Sequence, residues 1–335
     1  MKKEASFWKK CNDSKVECRL CAHNCKIKNE NVGICGVRKN ENGTLYSLIY
    51  GSSSSLAVDP IEKKPFYHFY PKTNALSLGT VGCNFKCLHC QNYHISTAGP
   101  DFSQIKEISA DMAVVLAKQY GCQGIAYTYN EPTIWYEFTK DSAELAKRNG
   151  LYTAYVTNGY ISEDSLREIS SFLDAMNVDV KAFSEDFYKK VCKAKLNPVL
   201  RTCELAKELG IHIEITYLVI PGLNDSTDEI RNFLNWVVEK IGNETPVHFS
   251  RFHPDYNMKD IPRTPMETML KIYDLSKEIG IKFAYLGNVP NGDYENTICP
   301  KCGNIVIERK GFDVDLKGFD KGKCKKCRNS INIIV

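Results

Sequence analysis

Residues 75–90 read Ala-Leu-Ser-Leu-Gly-Thr-Val-Gly-Cys-Asn-Phe-Lys-Cys-Leu-His-Cys, a short apolar run followed by Cys83, Cys87 and Cys90 at the spacing C-x3-C-x2-C. Three thiolates at this spacing can hold three irons of a [4Fe–4S] cluster and leave the fourth iron free to bind a small molecule. A zinc site would need a fourth ligand, and His89 is too close to Cys90 in the chain to reach the same metal. We therefore predict an iron–sulfur cluster directly after a buried strand.

Downstream of this point, short apolar runs alternate with amphipathic stretches of helix length. The predicted strands are 75–79, 124–128, 152–156, 175–180, 212–220, 246–251 and 283–286. The predicted helices include 105–120, 134–149, 198–209, 228–240 and 265–280. Repeated alternation of this kind implies parallel strands joined by right-handed crossovers. Because no Gly-rich dinucleotide fingerprint follows the first strand, we predict an α/β fold of the partial TIM-type (β/α)6 barrel class rather than a doubly wound sheet.

Every predicted strand ends in a segment with functional chemistry, and the carboxyl ends of barrel strands meet at one face. Besides the three cysteines and His89, the candidate site residues are Asn130, Glu131, Asn158, Asp179, Lys181, His253 and Asn288. We expect their side chains to converge near the cluster.

Several of these residues also have a structural interpretation. Glu131 precedes a proline and could cap a helix, while Asp179 and Lys181 share a strand face and could form an ion pair at the rim. Asn158 stands before a glycine and could belong to a turn, and His253 could bind a loop carbonyl.

Two further cysteine groups flank this region. Cys299, Cys302, Cys324 and Cys327 form two C-x2-C pairs, which are typical of a structural zinc ribbon, with a second iron–sulfur cluster as the alternative.

The N-terminal group consists of Cys18, Cys21, Cys25 and Cys35. Four thiolates satisfy one metal centre, and we favour Zn²⁺ there, with an auxiliary iron–sulfur cluster as the alternative.

The 335-residue chain divides at these groups into a Cys-rich cap (1–74), a barrel (75–296) and a zinc-ribbon tail (297–335). The cap has 13 Lys and Arg against 7 Asp and Glu, and the segment 299–335 has 9 against 4. Lysines near thiolates offset the charge of a metal–sulfur site, although basic ends are also compatible with nucleic-acid binding. No apolar run approaches the roughly 20 residues of a membrane helix, so we expect a cytoplasmic protein without a membrane partner.

The C-x3-C-x2-C motif resembles the signature of the radical SAM superfamily. In that superfamily the segment after the second strand, often Gly-Gly-Glu-Pro, meets the amino group of S-adenosylmethionine, and Tyr129–Pro132 stands at the matching position with bulkier residues in place of the glycines. The resemblance implies that His89 lies against the adenine. It also implies that Asp179-Val180-Lys181 and His253 lie near the cofactor, as in glycyl-radical activating enzymes.

A closer resemblance, to the radical SAM enzyme of the AmmeMemoRadiSam system, extends over nearly the whole chain. It is carried by 18–38, 59–65, 127–133, 220–225 and 248–256. The best understood relatives of that family are pyruvate formate-lyase activating enzymes.

These resemblances imply that S-adenosylmethionine is cleaved reductively and that hydrogen is abstracted from a protein or peptide. The implied partners are a flavodoxin or ferredoxin electron donor, a protein substrate and Memo-like proteins. Radical modification of a small metabolite is the alternative, and a zinc-dependent nucleic-acid-binding module is the weakest hypothesis, because it leaves the cysteine motif unexplained.

Overall fold

The structure, a computed structural model, describes residues 1–290 and 292–335, and its centre is one eight-stranded sheet. The strands are β1 (Ser55–Pro60), β2 (Asn74–Gly79), β3 (Gly124–Tyr127), β4 (Tyr152–Thr157), β5 (Ala175–Asp179), β6 (His212–Val219), β7 (Val247–Arg251) and β8 (Ala284–Gly287). Adjacent strands follow the chain order from β1 to β8. Strands β2 to β8 are parallel, and β1 is antiparallel to β2.

Helices connect the parallel strands. They are α1 (Ala110–Gln119), α2 (Tyr136–Arg148), α3 (Glu163–Ile169), α4 (Leu196–Glu208), α5 (Thr227–Trp236) and α6 (Met266–Ile279). Shorter helical segments occupy Ile61–Lys63, Tyr93–Ser96, Pro132–Trp135, Glu185–Phe187, Tyr188–Cys192, Val237–Ile241 and Gly292–Glu295. The predicted alternation is therefore confirmed: six strand–helix units are followed by β8. Within the described residues no pairing joins β1 to β8, so the sheet is open at that point.

Two elements of this sheet layer were missing from the sequence prediction. Strand β1 comes from the segment assigned to the cap, and it adds an antiparallel edge beside β2. Helix α3 has only seven residues, and its start depends on Ser162, whose side chain accepts a hydrogen bond from the backbone N–H of Ser165. A seven-residue helix carries too little periodicity for a pattern to reveal it, and the sequence of β1, Ser-Leu-Ala-Val-Asp-Pro, does not alternate between polar and apolar residues.

The N-terminal part consists of short strands packed against the main sheet layer. Their bounds are Lys3–Glu4, Trp8–Lys10, Val16–Cys18, Lys26–Ile27, Arg38–Glu41, Thr44–Ser47 and Ser52–Ser53, the last paired with Lys106–Glu107. The fully buried Arg38 forms an ion pair with Glu137 in the first turn of α2. Backbone hydrogen bonds from Ala22 to Tyr160 (3.1 Å) and from Ser162 to Leu20 (3.0 Å) add to this contact.

The C-terminal part also consists of short strands, at Thr297–Ile298, Ile305–Lys310, Asp313–Asp315, Phe319–Asp320 and Lys323–Cys324. The buried Arg309 attaches it to the segment that precedes β2, by donating a hydrogen bond to the carbonyl of Tyr67 (2.8 Å) and lying over that ring at 4.1 Å. The backbone N–H of Ile334 donates to the carbonyl of His68 (2.9 Å).

A buried carboxylate, Glu214 of β6, organises this end of the sheet. It accepts hydrogen bonds from the backbone N–H groups of Tyr67 (2.9 Å) and His68 (2.7 Å) and from the rings of His212 (3.1 Å) and His248 (2.6 Å). Burial alone would raise the pKa of the Glu214 carboxyl, but the bonds from the two histidines hold it well below its ordinary value.

In the part of the chain that the structure describes, no helix combines the length and the apolar character needed to cross a membrane.

The Glu214 network gives a testable prediction. Glu214→Gln leaves a buried polar cluster without its charge, so we expect the free energy of unfolding at pH 7 to fall by about 3 kcal/mol. Because the pKa of Glu214 is lowered in the folded protein, its stabilisation is fully present above the unfolded-state pKa of about 4.3 and is lost progressively as the pH falls from there toward the lowered folded-state pKa. The difference in the free energy of unfolding between wild type and Glu214→Gln should therefore become smaller at acidic pH. Urea unfolding at several pH values measures it.

The matched control is Glu278→Gln, since that side chain is 65% exposed and pairs only with Arg231 at the surface. It should change the free energy of unfolding by less than about 1 kcal/mol. Equal destabilisation by both substitutions would contradict the role given to Glu214.

Candidate functional site

A cavity lies at the carboxyl ends of the parallel strands, at the opposite end from Glu214. Its walls include Cys83, Cys87, Cys90, His89, Asn130, Asn158, Asp179 and Lys181, all of them predicted from the sequence. Further residues of the wall are Phe85, Gln91, Asn92, Ser96, Tyr129, Thr216, Leu218 and Ser250. The parallel register explains this convergence, because each strand delivers its last residues to the same edge.

The three cysteines occupy the loop after β2, whose shape depends on Gly82. This glycine has φ of +84°, and a Cβ there would come within 2.7 Å of the carbonyl oxygen of Cys35. Two asparagines hold the loop: Asn130 donates to the carbonyl of Gly82 (2.8 Å), and Asn158 donates to the side chain of Asn84 (2.8 Å). Asn130 and Asn158 therefore position the cysteine loop as well as lining the cavity.

Lys181 brings a cation into the cavity wall. Its ammonium lies 3.0 Å from the Asp179 carboxylate, so the rim ion pair anticipated from the sequence is present. Burial alone would lower the pKa of Lys181, but Asp179 and the nearby thiols of Cys87 and Cys192 raise it well above its ordinary value. The side chain therefore stays charged and available to an anionic group.

Glu131, which the resemblance places near the cofactor, is not among the residues that line the cavity. It is fully buried beneath the cavity wall, where its carboxylate accepts hydrogen bonds from the N–H of Thr133 (3.0 Å), the hydroxyl of Thr157 (2.7 Å) and the N–H of Asn158 (2.7 Å). Burial raises the pKa of this carboxyl. In these contacts Glu131 caps the following helical turn and fixes the backbone of Asn158.

His89 lines the cavity with both ring nitrogens buried and without a hydrogen-bond partner. Burial, with a smaller effect of Lys181, lowers the pKa of His89 to about 3, so the ring is neutral. A buried polar atom without a partner is costly unless a ligand satisfies it. The ring is therefore compatible with a heteroaromatic group bound beside it, and the cavity residues fit the cofactor that the motif implies.

The last two predicted residues lie at the rim rather than in the wall. His253 is half-buried, and its ring lies 3.0 Å from the amide nitrogen of Gln91, which does line the cavity. Asn288, which is exposed, donates to the hydroxyl of Ser250 (3.0 Å), another wall residue. His253 and Asn288 therefore each contact one residue of the cavity wall without lining the cavity themselves.

Tyr129 is a wall residue that the sequence analysis did not single out. It has φ of +74°, and its hydroxyl donates to Asp59 (2.6 Å), which also accepts from Lys63 (2.7 Å) and Lys64 (2.8 Å). The motif 59–65 therefore has a physical role in holding Tyr129 over the cavity. In the sequence, the aspartate of this motif followed by two adjacent lysines was the feature that could have pointed to this contact.

Cys192, which belongs to none of the three cysteine groups, lies against the cysteine loop. Its carbonyl accepts a hydrogen bond from the N–H of Lys86 (3.0 Å), and its thiol is close enough to that of Cys87 to help raise the pKa of Cys87 well above its ordinary value. No spacing rule could have revealed this contact, since about a hundred residues separate the two cysteines in the chain.

The C-terminal cysteines have the geometry of a single-ion site. Cys299 and Cys327 place their sulfurs 3.6 Å apart, Cys302 and Cys324 place theirs 3.7 Å apart, and all four sulfurs lie within 4.8 Å of one another. Thiolates about 2.3 Å from a tetrahedral ion are about 3.8 Å apart, so the four residues fit one metal ion.

Comparison with known proteins gives consistent relatives. The family model of the radical SAM superfamily matches residues 77–235. An uncharacterized protein of Methanocaldococcus jannaschii is 48% identical over 335 residues, which cover 99% of this chain and 100% of that protein. The pyruvate formate-lyase-activating enzyme of Clostridium pasteurianum is 26% identical over 59% of this chain and 88% of its own length. A radical SAM methyltransferase from Sphaerobacter thermophilus, solved by crystallography, shares the fold with a TM-score of 0.50 at 16% identity, over 70% of this chain and 71% of that one.

The family match begins in β2, ends in α5 and contains the complete cysteine loop. The strands within it are those whose carboxyl ends bring Asn158, Asp179 and Lys181 to the three cysteines. Since the motif, the cavity and the family match all fall on the same part of the chain, the protein belongs to the radical SAM superfamily.

Proposed function

We propose that this protein cleaves S-adenosylmethionine at a [4Fe–4S] cluster held by Cys83, Cys87 and Cys90, and abstracts hydrogen from a protein or peptide substrate. The observation that carries the proposal is the placement of the three cysteines in one cavity wall with Lys181 and the unpartnered ring of His89. When bound, the cluster supplies a low-potential electron to the sulfonium, which yields methionine and a 5′-deoxyadenosyl radical.

The residues of the wall have distinct roles in this proposal. Lys181 pairs with the carboxylate of the cofactor, because it lies in the cavity wall with the three cysteines and stays protonated. His89 lies against the adenine, and Asn130 and Asn158 hold the loop in place. Glu131 acts as a positioning residue through Asn158 rather than as a ligand.

The protein or peptide substrate is supported by the similarity to a pyruvate formate-lyase-activating enzyme and by the Asp179-Val180-Lys181 segment. A flavodoxin or ferredoxin is the proposed electron donor, and Memo-like proteins are proposed partners on the strength of the AmmeMemoRadiSam resemblance.

We further propose that the C-terminal site binds Zn²⁺ and has a structural role. Four cysteines complete the coordination of the ion and leave no open position for a substrate. Arg309 and Ile334 attach this part to the end of the sheet that is remote from the cavity.

The proposed chemistry is tested by an anaerobic reaction with S-adenosylmethionine and dithionite. Wild type should form 5′-deoxyadenosine, and Cys87→Ala should form none and bind fewer than four irons at this site, because one thiolate ligand is lost. Chromatography and iron analysis give the two readouts. Cys122→Ala, a cysteine remote from the loop, is the control and should behave as wild type. Undiminished deoxyadenosine formation by Cys87→Ala would exclude the proposed cluster ligand.

A second prediction concerns cofactor binding. Lys181→Ala should keep its iron but bind S-adenosylmethionine about tenfold more weakly, a loss on the order of 1.4 kcal/mol, because an anionic group loses its cation in the cavity wall. Isothermal titration of the reconstituted protein measures the affinity. Lys189→Ala removes an exposed lysine from the helical segment after β5 and serves as the matched control. Wild-type affinity in Lys181→Ala would assign the lysine to substrate contact or to the Asp179 ion pair alone.

A third prediction concerns the C-terminal metal. Cys302→Ser should release one zinc per chain and increase hydrogen exchange after about Asn296, while the main sheet keeps its protection, since structural zinc stabilises its surroundings locally. Metal analysis and exchange mass spectrometry provide the measurements. Cys11→Ser should retain the zinc. An unchanged zinc content in Cys302→Ser would show that the site holds something else.

A further inference from the structure

The four N-terminal cysteines gather at a second site. Cys18, Cys21, Cys25 and Cys35 line one cavity, although as many as 17 residues separate them in the chain. None of them forms a disulfide. The buried guanidinium of Arg38 lies 3.6 Å from the sulfur of Cys18, where it offsets the charge of a thiolate. Four thiols around one cavity are a donor set for a metal–sulfur centre, and a buried cation beside them offsets the negative charge of the thiolates.

The separation of the sulfurs distinguishes this site from the C-terminal one. Among the described residues, only the C-terminal cysteines have ligand atoms that all lie within 4.8 Å of one another. The N-terminal cysteines exceed that limit, and so do Cys83, Cys87 and Cys90. A single ion with thiolates at about 2.3 Å draws its sulfurs together, whereas the ligands of a cubane attach to separate irons at its corners. The sulfurs of the N-terminal site are therefore spread more widely than those of the C-terminal site, as are the sulfurs of the catalytic loop.

The site also lies next to the catalytic loop. The carbonyl oxygen of Cys35 lies only 2.7 Å from the position that a Cβ on Gly82 would take, so the two backbones approach closely beside Cys83. Asn84 lines the N-terminal cavity and accepts a hydrogen bond from Asn158, which lines the catalytic one. One side chain therefore spans the wall between the two cavities.

Aromatic rings fill the remaining space between the two sites. The ring of His23, in the N-terminal cavity wall, lies 4.8 Å from the ring of Tyr160, which lies 5.1 Å from that of Phe85 in the catalytic wall. The ring of His23 also bonds to the carbonyl of Asn84 (2.8 Å).

We propose that Cys18, Cys21, Cys25 and Cys35 hold a second [4Fe–4S] cluster, which passes electrons to the catalytic cluster through the contact at Asn84. The proposal reverses the preference for zinc drawn from spacing alone, and its relay role rests on the proposed function. One electron enters from a low-potential carrier of the flavodoxin or ferredoxin type and reduces the N-terminal cluster. The same electron then reduces the catalytic cluster, the N-terminal one returns to its oxidised state, and the sulfonium is the final acceptor.

The basic N-terminal segment suits the entry of such a carrier. Residues 1–74 have six more cationic than anionic side chains, and Lys26 and Lys28, directly after Cys25, are exposed. A positive surface favours encounter with an acidic partner.

The identity of the metal is tested in the full-length variant Cys83→Ala/Cys87→Ala/Cys90→Ala, which leaves the N-terminal site intact. After anaerobic reconstitution we expect about four irons and four sulfides per chain, and an electron paramagnetic resonance signal on reduction by dithionite. Wild type should contain about eight irons and one zinc. A triple variant without iron, together with two zincs in wild type, would overturn the proposal. Neither readout depends on cleavage of S-adenosylmethionine, so failure of the proposed function would be recognised separately.

The relay role is tested by comparing two reductants. Deoxyadenosine formation is driven either by reduced flavodoxin or by dithionite, a small molecule able to reach the catalytic cavity directly. In Cys21→Ser, the ratio of the flavodoxin-driven rate to the dithionite-driven rate should fall at least tenfold from its wild-type value. The matched control, Cys11→Ser, should keep the wild-type ratio. An unchanged ratio in Cys21→Ser would overturn the relay.

Discussion

The buried ion pair between Arg38 and Glu137 is the contact on which the arrangement of both cysteine regions depends. Both side chains are almost completely excluded from solvent, and breaking such a pair from one side costs about 3–5 kcal/mol. Glu137 lies in the first turn of α2, where the helix dipole favours a carboxylate. Arg38 extends from there to the carbonyl of Ser6 (3.1 Å) and the sulfur of Cys18. The N-terminal segment is thereby fixed above the carboxyl ends of the strands.

The two ends of the sheet are stabilised in different ways, and this difference separates the two flanking groups of cysteines. At the amino end, Glu214 accepts hydrogen bonds from the backbone of Tyr67 and His68, and Arg309 of the C-terminal segment donates to the carbonyl of Tyr67, far from the cavity. At the carboxyl end, the N-terminal cysteines share a wall with the catalytic loop through Asn84. A metal at the first position can stabilise the fold, whereas a metal at the second can also exchange electrons with the site.

The sequence predicted what depends on local pattern. Alternating strands and helices gave the parallel sheet, and parallel strands must present their carboxyl ends together, which placed Asn158, Asp179 and Lys181 in one cavity. Contacts between residues that are far apart in the chain could not be predicted from local pattern. Strand β1 lacks a polar and apolar alternation of its own and exists because it pairs with β2. The contact of Cys192 with Cys87 likewise depends on how a short helical segment packs after β5.

The position of Glu131 shows why residue type alone did not assign its role. A carboxylate next to a cofactor amino group would face the cavity, but here three donors from Thr133, Thr157 and Asn158 already satisfy its oxygens. A fully bonded buried carboxylate is rigid, and that rigidity passes to Asn158, whose side chain fixes Asn84 in the cysteine loop. The hydrogen bonds therefore lead from Glu131 through Asn158 to Asn84 in the cysteine loop. Asn84 also lines the N-terminal cavity, so the two cysteine sites meet at this residue.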